Sequence, residues 1–162
     1  MTLDDHGASR TTAVGLISDT HGLLRPEVLE TFAGVDVIIH AGDVGREGIL
    51  EALRAVAPTH AVRGNVAKGA WAEPLPRDAL IEVDEVSIYV YHGHEELNLE
   101  PRAAGCRVVI SGHSHQPEVS EKGGVLYLNP GSAGPRRFKL PVSVMRLHLK
   151  GGEVQPELVQ LV

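Results

Sequence analysis

A chain of 162 residues with 43 % hydrophobic and 22 % charged side chains is long enough for one layered globular unit and too short for two ample ones. Fifteen basic against twenty-one acidic side chains leave a formal charge of −6, which excludes a broad phosphate-tracking nucleic-acid surface. The single cysteine, Cys106, excludes an intrachain disulfide and a cysteine-based zinc knuckle and points to a reducing, cytoplasmic setting, and no run approaches the roughly 18 apolar residues of a membrane span.

The polar opening MTLDDHGASRTT has no apolar stretch of the kind a secretory signal needs, so residues 1–11 are expected as a flexible tail before a single domain over 12–162. Residues 12–18 read as a first strand. Pro26 then opens the amphipathic stretch PEVLETFAG, a helix closed by Gly34. A second strand over 35–41, a helix in EGILEALRAVA and a third strand in THAVRG complete a βαβαβ pattern, which favours parallel pairing. Residues 64–78, rich in Gly and Pro, are expected as a loop overhanging the site with Trp71. ALIEV and VSIYVY, separated by Asp84-Glu85, read as an antiparallel hairpin, and a short helical piece is expected between Leu97 and Ala104. RVVIS, PEVSEK, GVLYLN, VSVMRLHL and EVQPELVQL read as strands, with Lys122-Gly123-Gly124 and Lys150-Gly151-Gly152 as hairpin turns. A β-rich second half facing the βαβαβ half predicts an α/β fold, a four-layer αββα sandwich of two mixed β-sheets flanked by helices.

Five of the apolar runs stop at once on a residue that can bind a metal: Asp19-Thr20-His21, Asp43, Asn65, His92, and His113-Ser114-His115. Each motif alone is ordinary, since Gly-Asp and Gly-Asn are routine turn chemistry and a lone histidine after a strand is more often structural. Their joint placement at strand exits is not, because the carboxyl ends of strands in layered α/β structures converge on one crevice. The spacing of Asp19 and His21 suggests an extended segment with both side chains on one side. Two carboxylates, one amide and four imidazoles suit two divalent cations, with Asp43 as the bridging carboxylate. Manganese, iron, cobalt, nickel and zinc all accept such mixed ligands. His40 is placed to hydrogen-bond a ligand from behind, whereas His6, His60 and His148 are assigned to surface or structure.

In this order D-x-H, G-D, G-N, H-G-H and G-H-x-H resemble the calcineurin-like metallophosphoesterase superfamily over nearly the whole chain. Asn129-Pro130-Gly131-Ser132 followed by Pro135-Arg136 resembles its small bacterial and archaeal phosphodiesterase branch, which also includes the retromer subunit of this fold. The resemblance implies that Asp19, His21, Asp43 and His115 hold one metal and that Asp43, Asn65, His92 and His113 hold the other. It also implies the αββα sandwich. The sequence departs from the pattern after Gly64-Asn65: catalytic members often continue with His-Glu or His-Asp, the small branch with Cys-Asp, and here Val66-Ala67 follows. Val66 cannot donate a proton, which leaves water or another residue such as His94 to protonate the leaving oxygen.

The expected function is therefore a dimetal phosphodiesterase acting on a small diester through a metal-activated bridging hydroxide, with manganese the first expectation. Its catalytic residues are Asp43, His94 and Arg136, the last to reach a phosphate oxygen bidentately. The Asn129 turn is expected to brace the loop beneath the metals. A catalytically weak or inactive binding scaffold of the same fold and a phosphomonoesterase are the alternatives. Apolar edges in the second half would allow a homodimer.

Overall fold

The computed structural model describes residues 11–65, 69–95, 97 and 100–162. Apart from Thr11, the expected tail lies outside the described residues, as does Val66-Ala67. Strands β1 (Thr12–Ile17), β2 (Val37–His40) and β3 (Thr59–Ala61) alternate with helices α1 (Pro26–Thr31) and α2 (Glu47–Val56). The chain continues through β4 (Asp78–Val83), β5 (Val86–Tyr91), β6 (Val108–Ile110), β7 (Glu118–Lys122), β8 (Val125–Asn129), β9 (Ser143–Lys150) and β10 (Glu153–Gln160). One sheet has the order β10-β9-β1-β2-β3 and the other β4-β5-β6-β8-β7. In the first, β1, β2 and β3 are parallel; in the second, β5, β6 and β8 are, and antiparallel hairpins complete both.

Alternation along the strands sorts the side chains into layers. Val14, Leu16, Val37, Ile39, Ile88, Val90, Val108 and Ile110 meet between the two sheets in one buried cluster. The opposite faces of β1 and β2, with Ala13, Ile17 and Ile38, pack against Val28 and Phe32 at α1 and Ile49, Leu50 and Leu53 of α2. Each of those α2 side chains is at most 2 % exposed, and their burial stabilises the docked helix by about 1.5–3 kcal/mol apiece. The outer face of the second sheet, with Tyr89, Val109 and Val125, is covered by Cys106 and Leu97. The α/β sandwich of two mixed sheets is thus present: helices flank the first sheet, and among the described residues turns take the place of the fourth layer on the second.

Two expectations need correction. Residues 101–105 form turns, not a helix, closed by Ala104 N–H donating to Glu100 O and Cys106 N–H to Pro101 O. Pro101 lacks an N–H, and Gly105 at φ 78° reverses the chain four residues later, so only one turn fits. Trp71, on a 3-10 turn (Ala70–Ala72), packs with Leu75 against the cluster beneath the helices and does not overhang the strand exits. Burying its large apolar ring outweighs exposing it at a polar rim.

Gly15 of β1 lets Phe32 lie flat on the sheet, since an added Cβ would stand 3.0 Å from the ring. Gly15→Ala should cost about 1–3 kcal/mol in urea unfolding, and Phe32→Leu in the same chain should relieve part of it. Strict additivity of the two substitutions would contradict this account of the contact.

Candidate metal centre

All five parallel strands that carry the predicted groups deliver them to one edge of the sandwich. Backbone hydrogen bonds weave the exits together: Asp19 N–H donates to Gly42 O, His21 N–H to Asp43 O, Asp43 N–H to Arg63 O and Gly112 N–H to His92 O. The exits are not extended. Asp19, His21, Asp43, His113 and His115 all have positive φ, between 47° and 68°. Asp19 and His21 therefore converge through a left-handed turn, correcting the extended geometry inferred from their spacing. Asp and His tolerate this region better than most residues, and such strain, of about 1–3 kcal/mol per residue, persists where the surroundings over-determine it.

Asp19 is fully buried and stands at the centre. Its Oδ2 accepts from Ser18 Oγ at 2.7 Å and from the His113 N–H at 3.0 Å, which ties the first sheet to the second. This is why position 112 is glycine: a Cβ there would collide with Ser18 and Asp19. The other oxygen, Oδ1, is buried without a hydrogen-bond partner among the described residues. Around it stand Nε2 of His21 at 3.6 Å, of His92 at 3.6 Å and of His115 at 3.4 Å. Asp43 Oδ2 lies 3.1 Å from His92 Nε2 and 3.7 Å from His21 Nε2. The Asn65 amide reaches the same point, 2.8 Å from Asp43 Oδ2 and 3.1 Å from His92 Nε2 with its NH2 turned inward. With its oxygen inward it would complete a set of acceptors.

These are two overlapping three-residue groups, Asp19-His21-His115 and Asp19-Asp43-His92, each with ligand atoms close enough to share one ion. An orphaned buried carboxylate oxygen ringed by imidazole nitrogens fits a cation. His113 adjoins them through its ring, 5.3 Å centroid to centroid from His92. His94 lies 5.4 Å from His92 and 6.1 Å from His113, with Nε2 3.2 Å from Glu95 Oε1.

The electrostatics follow from this crowding. Burial alone would raise the Asp19 pKa, but the nearby His21 ring, the Ser18 hydrogen bond and the His92 and His115 charges win and hold it below the usual carboxylate value. For His92, burial opposes the charged form, yet its bond to Asp43, the Ala41 carbonyl and the Asp19 charge raise its pKa. His92 Nδ1 donates to Ala41 O at 2.8 Å, which turns Nε2 toward the carboxylates. In His115 burial lowers the pKa against the pull of Asp19, and the Arg137 charge lowers it further.

Sequence reasoning missed Arg137. Arg136, expected at the phosphate, donates from Nη2 to Val162 O at 3.2 Å. His60 is exposed and His148 pairs with Glu157 across the β9–β10 hairpin, while His6 lies outside the described residues. Asn129 does brace the loop, its Nδ2 donating to Gly112 O at 3.0 Å and to Ser114 Oγ at 3.2 Å.

His40 supports the centre from behind. Its Nδ1 accepts from Gly42 N–H, so its Nε2 carries the proton and donates to Thr20 Oγ1, which donates to Val44 O. Burial outweighs the nearby Asp19 and Asp43 charges and lowers its pKa to about 4. An unfolded histidine titrates near 6.5, so this contribution to stability is full above about pH 6.5 and lost as pH falls through about 4. Between pH 7 and 4.5 the chelator-treated protein should lose about 2–3 kcal/mol more stability than His40→Gln, read by urea unfolding. Equal losses in the two proteins would remove this role of His40.

Comparison with known proteins gives a consistent picture. Residues 13–152 match the family model of the Calcineurin-like phosphoesterase superfamily domain. A probable metallophosphoesterase of Methanothermobacter thermautotrophicus is 35 % identical over 159 residues, covering 91 % of each chain. A phosphodiesterase of Methanocaldococcus jannaschii is 31 % identical over 137 residues, covering 73 % of this chain and 82 % of its own. Among solved structures, vacuolar protein sorting 29 from Cryptosporidium parvum superposes with a TM-score of 0.75 at 21 % identity, over 93 % of this chain and 97 % of that one.

Proposed function

The chain belongs to the calcineurin-like phosphoesterase superfamily, and we propose that it is a phosphodiesterase that works with two divalent cations on a small diester. One observation carries this reading: the buried, unpartnered Asp19 Oδ1 faced by three imidazole nitrogens, with Asp43 and Asn65 beside them. Asp19, His21, Asp43 and His115 would hold one ion, and Asp43, Asn65, His92 and His113 the other. Manganese is the first candidate, with nickel, iron, cobalt and zinc as alternatives. Ions held there would supply Lewis-acid charge to phosphate oxygens and bring the pKa of water toward neutrality.

The residues themselves supply position and exclusion. Asp43, 3 % exposed, would be the carboxylate common to both proposed sets, with Asp19, shared by the two groups the geometry brings together, beside it. The Ala41 carbonyl orients His92, Ser18 fixes the Asp19 carboxylate, and Asn129 and the His113 N–H hold the His113 loop against it, so little reorganisation remains when substrate arrives. His94 is the proposed proton donor to the leaving oxygen, its ring steered by Glu95, which also pairs with Arg77. Its exposed position makes protonation less efficient than from an enclosed acid, so esters with good leaving groups should react faster. A cytoplasmic setting accompanies this reading, supported by the lone, buried Cys106. No helix among the described residues is long and apolar enough to cross a membrane. Exposed Leu80 on β4 and Val119 on β7 are the apolar edges through which a homodimer would pair.

The second reading, a binding scaffold, is favoured by the likeness to vacuolar protein sorting 29, a likeness of fold alone. Against it stand seven ligand positions, all filled by competent residues. Chelator-treated protein should hydrolyse bis-p-nitrophenyl phosphate only after manganese is added, and Asp43→Asn should lower kcat by at least about 100-fold. Aryl diesters should be cleaved faster than alkyl ones, and equal rates would count against an inefficient proton donor. Folded protein inactive with every divalent cation named would favour the scaffold.

A further inference from the structure

Eight non-glycine residues among those described have positive φ. Five are the candidate ligands already placed, and Asp84 and Glu85 make the two-residue turn between β4 and β5. The eighth is Phe138, at φ 53° and 94 % exposed. A bulky residue in the left-handed region is a true outlier, and here no packing of its ring holds it there. Backbone strain of this kind gathers at ligand clamps.

Phe138 lies in an excursion over residues 133–141 whose ends are clasped. Ser132 and Val142 form a parallel bridge, and Ser143 N–H donates to Ser132 O at 3.0 Å. The root of the excursion sits on the centre itself. Ser132 Oγ donates to Asp19 O at 3.0 Å, Ala133 N–H donates to Ser18 O at 3.0 Å, and Gly134 lies so close to the Asp19 and Thr20 carbonyls that a Cβ would collide. Arg25 Nη2 fixes the same point by donating to Gly134 O at 3.2 Å. The tip is a turn in which Leu140 N–H donates to Arg137 O. Compact loops with closed ends are frequently functional.

The tip reads Arg136-Arg137-Phe138-Lys139, three cations and one aromatic ring, all exposed, in a chain of net charge −6. Screening over about 10 Å leaves this local charge effective despite the acidic total. Arg136 anchors the turn through Val162 O, while Arg137 and Lys139 are left exposed beside Phe138. Cations that take phosphate oxygens beside an exposed ring that stacks on bases are the recurring means of gripping single-stranded nucleotides.

We propose that the turn 136–139 is the substrate-recognition element of the centre and selects a nucleoside-bearing phosphodiester: Phe138 stacks on the base, and Arg137 and Lys139 take oxygens of a phosphate next to the one at the centre. This rests on the phosphodiesterase reading and deepens it by naming the substrate class.

The test is calorimetric binding of a 5′-phosphorylated thymidine dinucleotide with a phosphorothioate linkage to the manganese-loaded full chain. Phe138→Ala and Arg137→Ala should each raise Kd roughly tenfold or more, and Phe138→Trp should restore affinity. Lys122→Ala, an exposed cation on the β7–β8 hairpin, should leave Kd unchanged. Thermal melts keep the reading clean, since both side chains are exposed and neither variant should shift Tm. No measurable binding by the wild type, or wild-type Kd in both alanine variants, overturns the proposal even where bis-p-nitrophenyl phosphate is hydrolysed. Phe138-dependent binding without hydrolysis of any diester supports the recognition element and defeats the phosphodiesterase reading instead.

Discussion

Asp19 carries a carboxylate with no access to water, and a buried charge of that kind costs several kcal/mol unless it is met by partners of opposite sign or by donors. One oxygen is met inside the protein, by Ser18 Oγ and by a backbone N–H from the other sheet. Among the described residues the other is met only by imidazole nitrogens at 3.4–3.6 Å, a distance too long for good hydrogen bonds and suited to an ion placed between them. Much of the architecture serves this single group. The two sheets must meet at their strand exits because the His113 N–H has to reach Asp19. Position 112 must be glycine for the same reason.

Left-handed backbone at five ligand residues extends the argument. Each such residue is strained, and isolated peptides of these sequences would not hold the shape. Hydrogen bonds to neighbouring exits hold it here: Asp19 N–H donates to Gly42 O, His21 N–H to Asp43 O and Asp43 N–H to Arg63 O. His40 locks Gly42 and Thr20 from the helix side, and Asn129 locks the His113 loop from β8. The stable sandwich thus supports a polar rim that would be unstable by itself, with the two hydrophobic clusters on either side of the first sheet supplying the opposing free energy. The same rim supports the excursion that ends at Phe138, so the proposed recognition turn and the proposed metal ligands share one foundation.

Much of this was legible in the chain because it depends on local pattern. Apolar runs ending in Asp, Asn or His mark buried strands with polar exits, and β1, β2, β3, β5 and β6 each end at such a motif. Helix α1 begins at Pro26, and the Gly123-Gly124 and Gly151-Gly152 turns join the predicted hairpins. Where the reading failed, distant partners decided in most cases. Trp71 packs against the cluster beneath the helices, a contact its own sequence neighbours do not announce, whereas residues 101–105 became turns for a local reason, Pro101 and Gly105. Arg136 and Arg137 are neighbours with nothing in their order to tell them apart, and only the fold gives Arg136 the Val162 carbonyl as its partner.

By itself the sequence determined the strand and helix order, the α/β sandwich of two mixed sheets and the identities of the candidate ligands, because periodicity, turn chemistry and residue type are local properties. Only the tertiary structure decided that Asp19 is the buried hub, that its neighbours are bent into the left-handed region, that His40 stays neutral and that Phe138 stands exposed on a loop rooted in the centre. Those properties are set by atoms from strands far apart in the chain, whose distances and burial exist only once both sheets are packed.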